Sequence, residues 1–364
     1  MSSNYKAKWY LSYDVLRIIA ILSVIFLHIS AFFVLGFEDV KTSEFITGNI
    51  VAGLCNAAIP LFLMISGALL LNEEKPFNAR KFLKNSWLFL VLITILWTVF
   101  YGLFYGYGLP MLTHQPTSFS TFINYLICFE GSDYPHMWYM YMIIGMYLLI
   151  PVLRLFVKKE NKNYIFWIIV VCLLIQFIPK TLGVLTVDAE FTIKDFMSQF
   201  FLNPATGYIA YFFLGWYLST FELSKNKRKI LYALGIICGI LAIWAVQTYI
   251  PVIPTVRNYV YSGNDIVSLL YSVAIFVFVL AVCKDRENNS PQLKSLSRFT
   301  FGIYIIHVVF LELFLNIIYP YSSFTAQIPL AYVLITFLFV FVLSYLVVFA
   351  VSKVKYLRKI FYLK

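Results

Sequence analysis

The feature that most constrains this chain is a series of ten apolar runs, most of them near 20 residues long. They cover residues 11–36, 47–72, 85–107, 137–156, 164–179, 199–220, 230–250, 265–283, 300–319 and 329–352. A helix of about 20 residues crosses the hydrocarbon core of a bilayer. With 61% hydrophobic and only 12% charged residues, the chain has more apolar surface than one soluble core can bury. The sequence therefore predicts an all-α, polytopic membrane protein with about ten transmembrane helices.

Basic residues are distributed unevenly between the segments that connect these runs. If the amino terminus is cytoplasmic, the inner segments carry 23 Lys and Arg residues, and the outer segments carry four: Lys41, Lys180, Lys194 and Arg257. The positive-inside rule then predicts an even number of helices and two cytoplasmic termini. The net charge of +11 is explained by these loops, so we expect no nucleic-acid partner.

No hydrophilic stretch is long enough for a folded extramembrane domain, so residues 1–364 are expected to form one transmembrane domain. The five cysteines lie more than 40 residues apart and show neither a metal-ligand spacing nor a disulfide framework. We expect no metal and no permanently bound cofactor. The function is expected to reside within the membrane.

The first apolar run contains three ionisable residues in the stretch DVLRIIAILSVIFLH, residues 14–28. Arg17 and His28 are eleven residues apart, so they project from one helix face about 16 Å from each other along the axis. Asp14 lies one turn before Arg17 and can pair with it. Because ionisable groups are expensive in a bilayer, the pattern favours a functional site. The alternative is an interfacial ion pair together with a structural histidine.

Three stretches, far apart in the chain, resemble the membrane acyltransferase 3 family. DVLRIIAILSVIFLHIS is similar to the family's opening helix, in which the Arg and the His are the hallmark. PHMWYMYMIIGMYLLIPVL, residues 135–153, is similar to its His-x-Trp helix. SRFTFGIYIIHVVF, residues 297–310, is similar to its helix with Ser-Phe-Gly-Ile-Tyr-Leu-Ile-His. The resemblance covers essentially the whole chain.

This resemblance implies transfer of an acyl group, usually acetyl, from cytoplasmic acetyl-CoA to a hydroxyl of a surface or lipid-linked glycan on the outer side. Acetyl-CoA would be a donor substrate and not a cofactor. The chain looks most like the stand-alone surface-polysaccharide O-acetyltransferases, which implies a multi-pass protein of the bacterial cytoplasmic membrane.

Acyl transfer from a thioester needs a base or nucleophile whose pKa is near neutrality, and His28 fits that requirement. It is expected either to take the proton from the acceptor hydroxyl or to carry the acyl group as an acyl-imidazole. Arg17, nearer the cytoplasm, is expected to hold a phosphate or to polarise the carbonyl of the donor. Asp14 is expected to offset the charge of Arg17.

Several further residues are supporting or substrate-binding candidates. His136 and Trp138 belong to an aromatic group at the outer end of the fourth span, which can stack a sugar ring or form an interfacial belt. Glu312 follows His307 by about 140° around one helix, so the two are expected to face different neighbours. The remaining candidates are Tyr304 in the third family stretch and the acidic residues Glu130 and Asp133 in STFINYLICFEGSDYPH, an amphipathic segment expected at the outer surface.

Two functions of other classes compete with acyl transfer. A polysaccharide exporter or flippase would also have ten spans and a polar interior, but it would not depend on an acyl donor. A membrane sensing or partner-binding module would tolerate replacement of His28 by Gln.

Overall fold

The computed structural model describes residues 10–36, 39–127, 136–185, 205–251, 260–261, 263, 265–284, 286–318, 328–355 and 357–361. These residues are almost entirely helical and contain no β-strand, only an isolated antiparallel bridge between Tyr10 and Glu287. An all-α fold is the outcome expected in a bilayer, because a helix satisfies its backbone hydrogen bonds within one segment.

Twelve helices make up the described chain. They are α1 (Leu11–Gly36), α2 (Ser43–Cys55), α3 (Ala58–Leu70), α4 (Ala79–Leu112), α5 (Phe119–Ile127), α6 (Trp138–Phe156), α7 (Lys162–Leu185), α8 (Ala205–Thr220), α9 (Lys225–Tyr249), α10 (Ile266–Val282), α11 (Pro291–Ile318) and α12 (Pro329–Ser352). Short 3-10 turns cover Lys159–Asn161 and Leu357–Phe361. Helix α4 contains π-helical turns at Leu83–Trp87 and Phe104–Gly108, and α11 ends in one at Phe314–Ile318.

The helices confirm the all-α polytopic prediction. Within the described ranges, eight helical segments are long and apolar enough to cross a membrane, with α2 and α3 counted as one segment, Ser43–Leu70. The two other predicted spans, 199–220 and 265–283, correspond to the shorter helices α8 and α10. The cytoplasmic position of both termini stays a prediction.

The second span is interrupted at Asn56 and Ala57, which the hydropathy pattern does not predict. Pro60 explains the interruption, since its ring clashes with the carbonyl of the residue four positions earlier, which is Asn56. The Asn56 amide donates to the Val260 carbonyl at 2.7 Å and to the Ser268 hydroxyl at 2.6 Å. These bonds satisfy a polar group that would otherwise be unfavourable at this depth.

The chain divides into two compact units, of which unit 1 contains Met1–Asn72 and Phe156–Thr300. Within it α8 packs closely on α3, with small residues at the contact. A Cβ atom at Gly215 would lie 1.9 Å from the Met64 carbonyl oxygen, and one at Gly67 would lie 2.0 Å from that of Phe212. Glycine at both positions lets the two backbones touch, as in other membrane helix pairs.

Unit 2 contains Glu73–Leu155 and Phe301–Lys364. Indole N–H groups connect its elements: Trp87 in α4 donates to the Ile144 carbonyl of α6 at 3.0 Å. Trp97 donates to the Ile360 carbonyl at 3.1 Å. The amphipathic helix α5 covers the first part of the segment predicted to be amphipathic and packs on α4, where Gly106 leaves room for Ser118 and Phe122. Its position at the outer surface stays a prediction.

Candidate functional site

The first candidate site lies in unit 1, at the start of α1. Asp14 is almost fully buried, at 1% exposed, and both of its carboxylate oxygens accept hydrogen bonds. Oδ1 accepts from the Ser297 hydroxyl at 2.5 Å and lies 3.4 Å from Nη1 of Arg17. Oδ2 accepts from the Asn288 amide at 2.6 Å. The predicted pair of Asp14 and Arg17 is therefore present, but it is part of a larger network.

Asn288 belongs to the segment that precedes α11, and the backbone holds this segment against the start of α1. The Leu11 N–H donates to the Arg286 carbonyl at 3.1 Å, next to the bridge of Tyr10 and Glu287. These contacts bring the loop before α11 to the first turn of α1, where Asp14 lies.

Arg17 is the more exposed member of the network, with 30% of its side chain accessible. Its Nη1 also lies 3.5 Å from the Ser297 hydroxyl oxygen. A guanidinium held on one side by a buried carboxylate and still accessible can bind a phosphate or carbonyl oxygen of a ligand.

His28 lies three turns further along the continuous helix α1, on the side that carries Arg17. Its ring is partly buried and lies against the backbone of Val24, one turn earlier. The uninterrupted helix preserves the predicted separation between Arg17 and His28, so the spacing of the two groups is fixed by α1 itself.

The second candidate site lies in unit 2, where two buried imidazoles meet. The ring centroids of His136 and His307 are 5.7 Å apart, and Tyr101 lies edge-on to His136 with centroids 4.7 Å apart. The Tyr304 hydroxyl donates to the His136 carbonyl. Nδ1 of His307 is 2.6 Å from the Tyr304 carbonyl oxygen. His136 is buried, at 2% exposed, and its predicted position at the outer end of the fourth span stays a prediction.

Glu312 lies on α11 beyond this pair and has different neighbours, as the helix geometry predicts. The Tyr105 hydroxyl donates to Oε1 of Glu312 at 3.1 Å, and the Asn316 amide donates to Oε2 at 2.9 Å. Tyr105 lies within one π-helical turn, and Asn316 lies within another. Such turns occur frequently at functional sites.

The structure says less about the remaining candidates, Trp138, Glu130 and Asp133. Trp138 is 37% exposed at the start of α6 and stacks edge-on with Tyr139. Glu130 and Asp133 lie outside the described residues. Among the residues that the structure describes, no group of three or more His, Cys, Asp or Glu side chains is arranged to hold a metal ion.

Sequence reasoning missed Asn288, Ser297, Tyr101 and Tyr105 as members of these sites. Ser297 opens the third family stretch, so its position there is a usable signal. Asn288 precedes Ser290 and Pro291, a helix-start pattern, but nothing local indicates that its amide contacts Asp14, 274 positions away.

Apolar helices of membrane-crossing length define a polytopic membrane protein, and the ionisable side chains buried among them are typical of a functional site. The chain belongs to the acyltransferase 3 family, because the family model described as an acyltransferase domain matches residues 10–349. The protein is therefore a membrane acyltransferase. Searches of curated proteins and of solved structures find no match.

Proposed function

We propose that this acyltransferase moves an acetyl group from cytoplasmic acetyl-CoA to a hydroxyl of a surface or exported glycan on the outer side of the bacterial cytoplasmic membrane. The observation that carries the proposal is that Arg17 is held in place and is also accessible. Its guanidinium is anchored by the buried carboxylate of Asp14 and remains 30% exposed. Family membership supplies the reaction class.

Arg17 is assigned to the acyl donor. Its planar fork can bind two oxygens of a CoA phosphate, or it can polarise the thioester carbonyl as negative charge develops on that oxygen. Asp14 offsets the charge of Arg17, which lowers the free energy needed to keep a guanidinium at this depth.

His28 is assigned to the transfer step, for which two routes are open. As a general base, it takes the proton of the acceptor hydroxyl while that oxygen attacks the thioester carbonyl and the CoA thiolate leaves. As a nucleophile, it attacks the carbonyl itself, releases CoA and then passes the acyl group from its imidazole to the hydroxyl.

The unit 2 cluster is assigned to the acceptor. The faces of Trp138 and Tyr304 suit the apolar side of a sugar ring. The Glu312 carboxylate can accept a hydrogen bond from a sugar hydroxyl, and the His136 and His307 imidazoles can donate or accept one. Trp138 lies on α6, His136 lies two residues before that helix, and Tyr304, His307 and Glu312 lie on α11, so all of these groups belong to one unit.

The proposal is tested with purified protein in liposomes that receive radiolabelled acetyl-CoA and a glycan fraction from the same cells, chemically deacetylated beforehand. We expect label in the glycan, ester-linked and therefore removable by mild alkali. Liposomes without the protein provide the background.

The same experiment separates the competing functions. A polysaccharide exporter would move the glycan at an equal rate without acetyl-CoA and leave it unlabelled. A sensing module would transfer no label and would tolerate His28→Gln. Either result would overturn the proposed acetyl transfer.

A further inference from the structure

The contacts around Asp14 extend beyond an ion pair. The Ser297 hydroxyl donates its single proton to Oδ1 of Asp14 at 2.5 Å. Its oxygen can then only accept from Nη1 of Arg17, which lies 3.5 Å away. Ser297 therefore bridges the carboxylate and the guanidinium, and Nη1 faces two acceptors, Asp14 and Ser297. Two acceptors at one nitrogen restrict the plane of the guanidinium more than a single contact would.

The Asn288 amide fixes the opposite side of the Asp14 carboxylate. Its Nδ2 donates to Oδ2 of Asp14 at 2.6 Å, and its Oδ1 accepts from the Ser290 backbone N–H at 3.1 Å. A flipped amide would place an oxygen against the carboxylate and an NH₂ group against a backbone N–H, so only one orientation satisfies both neighbours. The carboxylate is thus held from two directions.

Burial makes this arrangement rigid. Asn288 is 1% exposed and Ser297 is 3% exposed, while Arg17 keeps 30% of its side chain accessible. Water therefore has little access to the groups that hold Asp14, whereas a ligand can reach the guanidinium. The accessible group is oriented by groups that are themselves buried.

We propose that Ser297 and Asn288 are positioning residues for Arg17, acting through Asp14 to present the guanidinium to the acyl donor. This inference rests on the proposed function of Arg17 in binding acyl-CoA. A group oriented in advance binds its ligand without first losing conformational freedom, so loss of either residue weakens donor binding.

The Ser297→Ala variant tests the bridge. We expect the Michaelis constant for acetyl-CoA to rise about tenfold and the turnover number to stay within about twofold. Equilibrium binding of acetyl-CoA to the purified variant should weaken by a similar factor. The control is Thr300→Val, because the Thr300 hydroxyl lies one turn later on the same helix and donates only to the Ser297 carbonyl in the hydrogen bonds described.

The Asn288→Ala variant tests the second support of Asp14. We expect a smaller increase in the Michaelis constant for acetyl-CoA, about threefold, since the Ser297 bridge to Arg17 remains. The control is Asn289→Ala, which removes the same side chain from an exposed neighbouring position.

A double-mutant cycle separates positioning from a purely structural role. Ser297→Ala in an Arg17→Lys background should change acetyl-CoA binding by less than about twofold, because the planar group that Ser297 orients is then absent. An equal loss in both backgrounds would overturn the inference. A lowered melting temperature of Ser297→Ala together with unchanged acetyl-CoA binding would also overturn the inference.

Arg17→Lys alone reports on the proposed function. If that single variant binds acetyl-CoA as the unmodified protein does, the donor role of Arg17 is wrong and the positioning inference falls with it. If Arg17→Lys weakens binding and Ser297→Ala does not, only the positioning inference is wrong.

Discussion

A single buried carboxylate, Asp14, organises a polar network in unit 1. It lies in the first turn of α1, where the helix dipole also favours a negative charge. The i,i+3 spacing was sufficient to predict its contact with Arg17. The contacts of Asp14 with Asn288 and Ser297 were not predictable, because they join residues 274 and 283 positions apart. Local spacing identifies one partner, and tertiary folding supplies the others.

The Asp14→Asn variant should fold poorly. It removes the charge that balances Arg17, and its NH₂ group must face either the Asn288 amide or the side of Arg17 and Ser297, which are donors to Asp14. Breaking one partner of a buried ion pair lowers stability by about 3–5 kcal/mol. Thermal unfolding of the detergent-solubilised protein should show the loss, and the exposed Asp39→Asn should not. An unchanged melting temperature for Asp14→Asn would show that the network does not stabilise the fold.

The two histidines of unit 2 also show that the sequence identifies individual residues, whereas tertiary folding determines their contacts. His307 is recognisable in the sequence as an ionisable group inside an apolar run, and His136 as one at the edge of another. Their meeting, with ring centroids 5.7 Å apart, depends on how α6 and α11 pack. The aromatic neighbours Tyr101 and Tyr105 come from α4, whose sequence gives no sign of a polar site.

At the scale of elements, hydropathy located the membrane helices but not their ends. The span predicted from residue 300 begins at Pro291, because Ser290 caps the helix through the Leu293 N–H at 3.3 Å. Hydropathy does not include the polar residues of a first helical turn in the apolar run. Capping residues are a better guide to such ends than hydropathy is.

Close packing of α3 and α8 should be sensitive to a single methyl group. In Gly215→Ala the added Cβ would lie 1.9 Å from the Met64 carbonyl oxygen, so the helices must separate. We expect destabilisation of about 1–3 kcal/mol or more, measured by thermal unfolding. The control is Gly145→Ala in α6, where no heavy atom lies within 4 Å of the added Cβ. Equal stability of the two variants would contradict the close contact.

For the whole molecule, the charge bias between loops predicts the orientation in the membrane. With the native cysteines replaced, Lys41→Cys should react with an impermeant thiol reagent added to intact cells, because Lys41 is exposed and the charge bias predicts it on the outer side. The equally exposed Asn226→Cys should react only after the cells are opened. Labelling in the opposite sense would reverse the orientation and place the acyl donor on the other side.

The family, the all-α architecture and the candidate residues of α1 were within reach of the sequence, since apolar periodicity and three spaced motifs carry them. Division into two compact units was not predicted. The single continuous pattern of apolar runs contains no linker, and both units are formed from segments distant in sequence. Such a division follows from packing alone.

Acetyl transfer by purified His28→Ala tests most directly the proposal that His28 performs the acyl transfer. Transfer from radiolabelled acetyl-CoA is compared with the unmodified protein and with the loop control His114→Asn, at equal amounts of folded protein. Removing a polar group from a span favours membrane insertion, so His28→Ala should be produced normally. We expect its acetyl transfer to fall by on the order of a hundredfold or more. Turnover equal to that of the unmodified protein would show that His28 is structural.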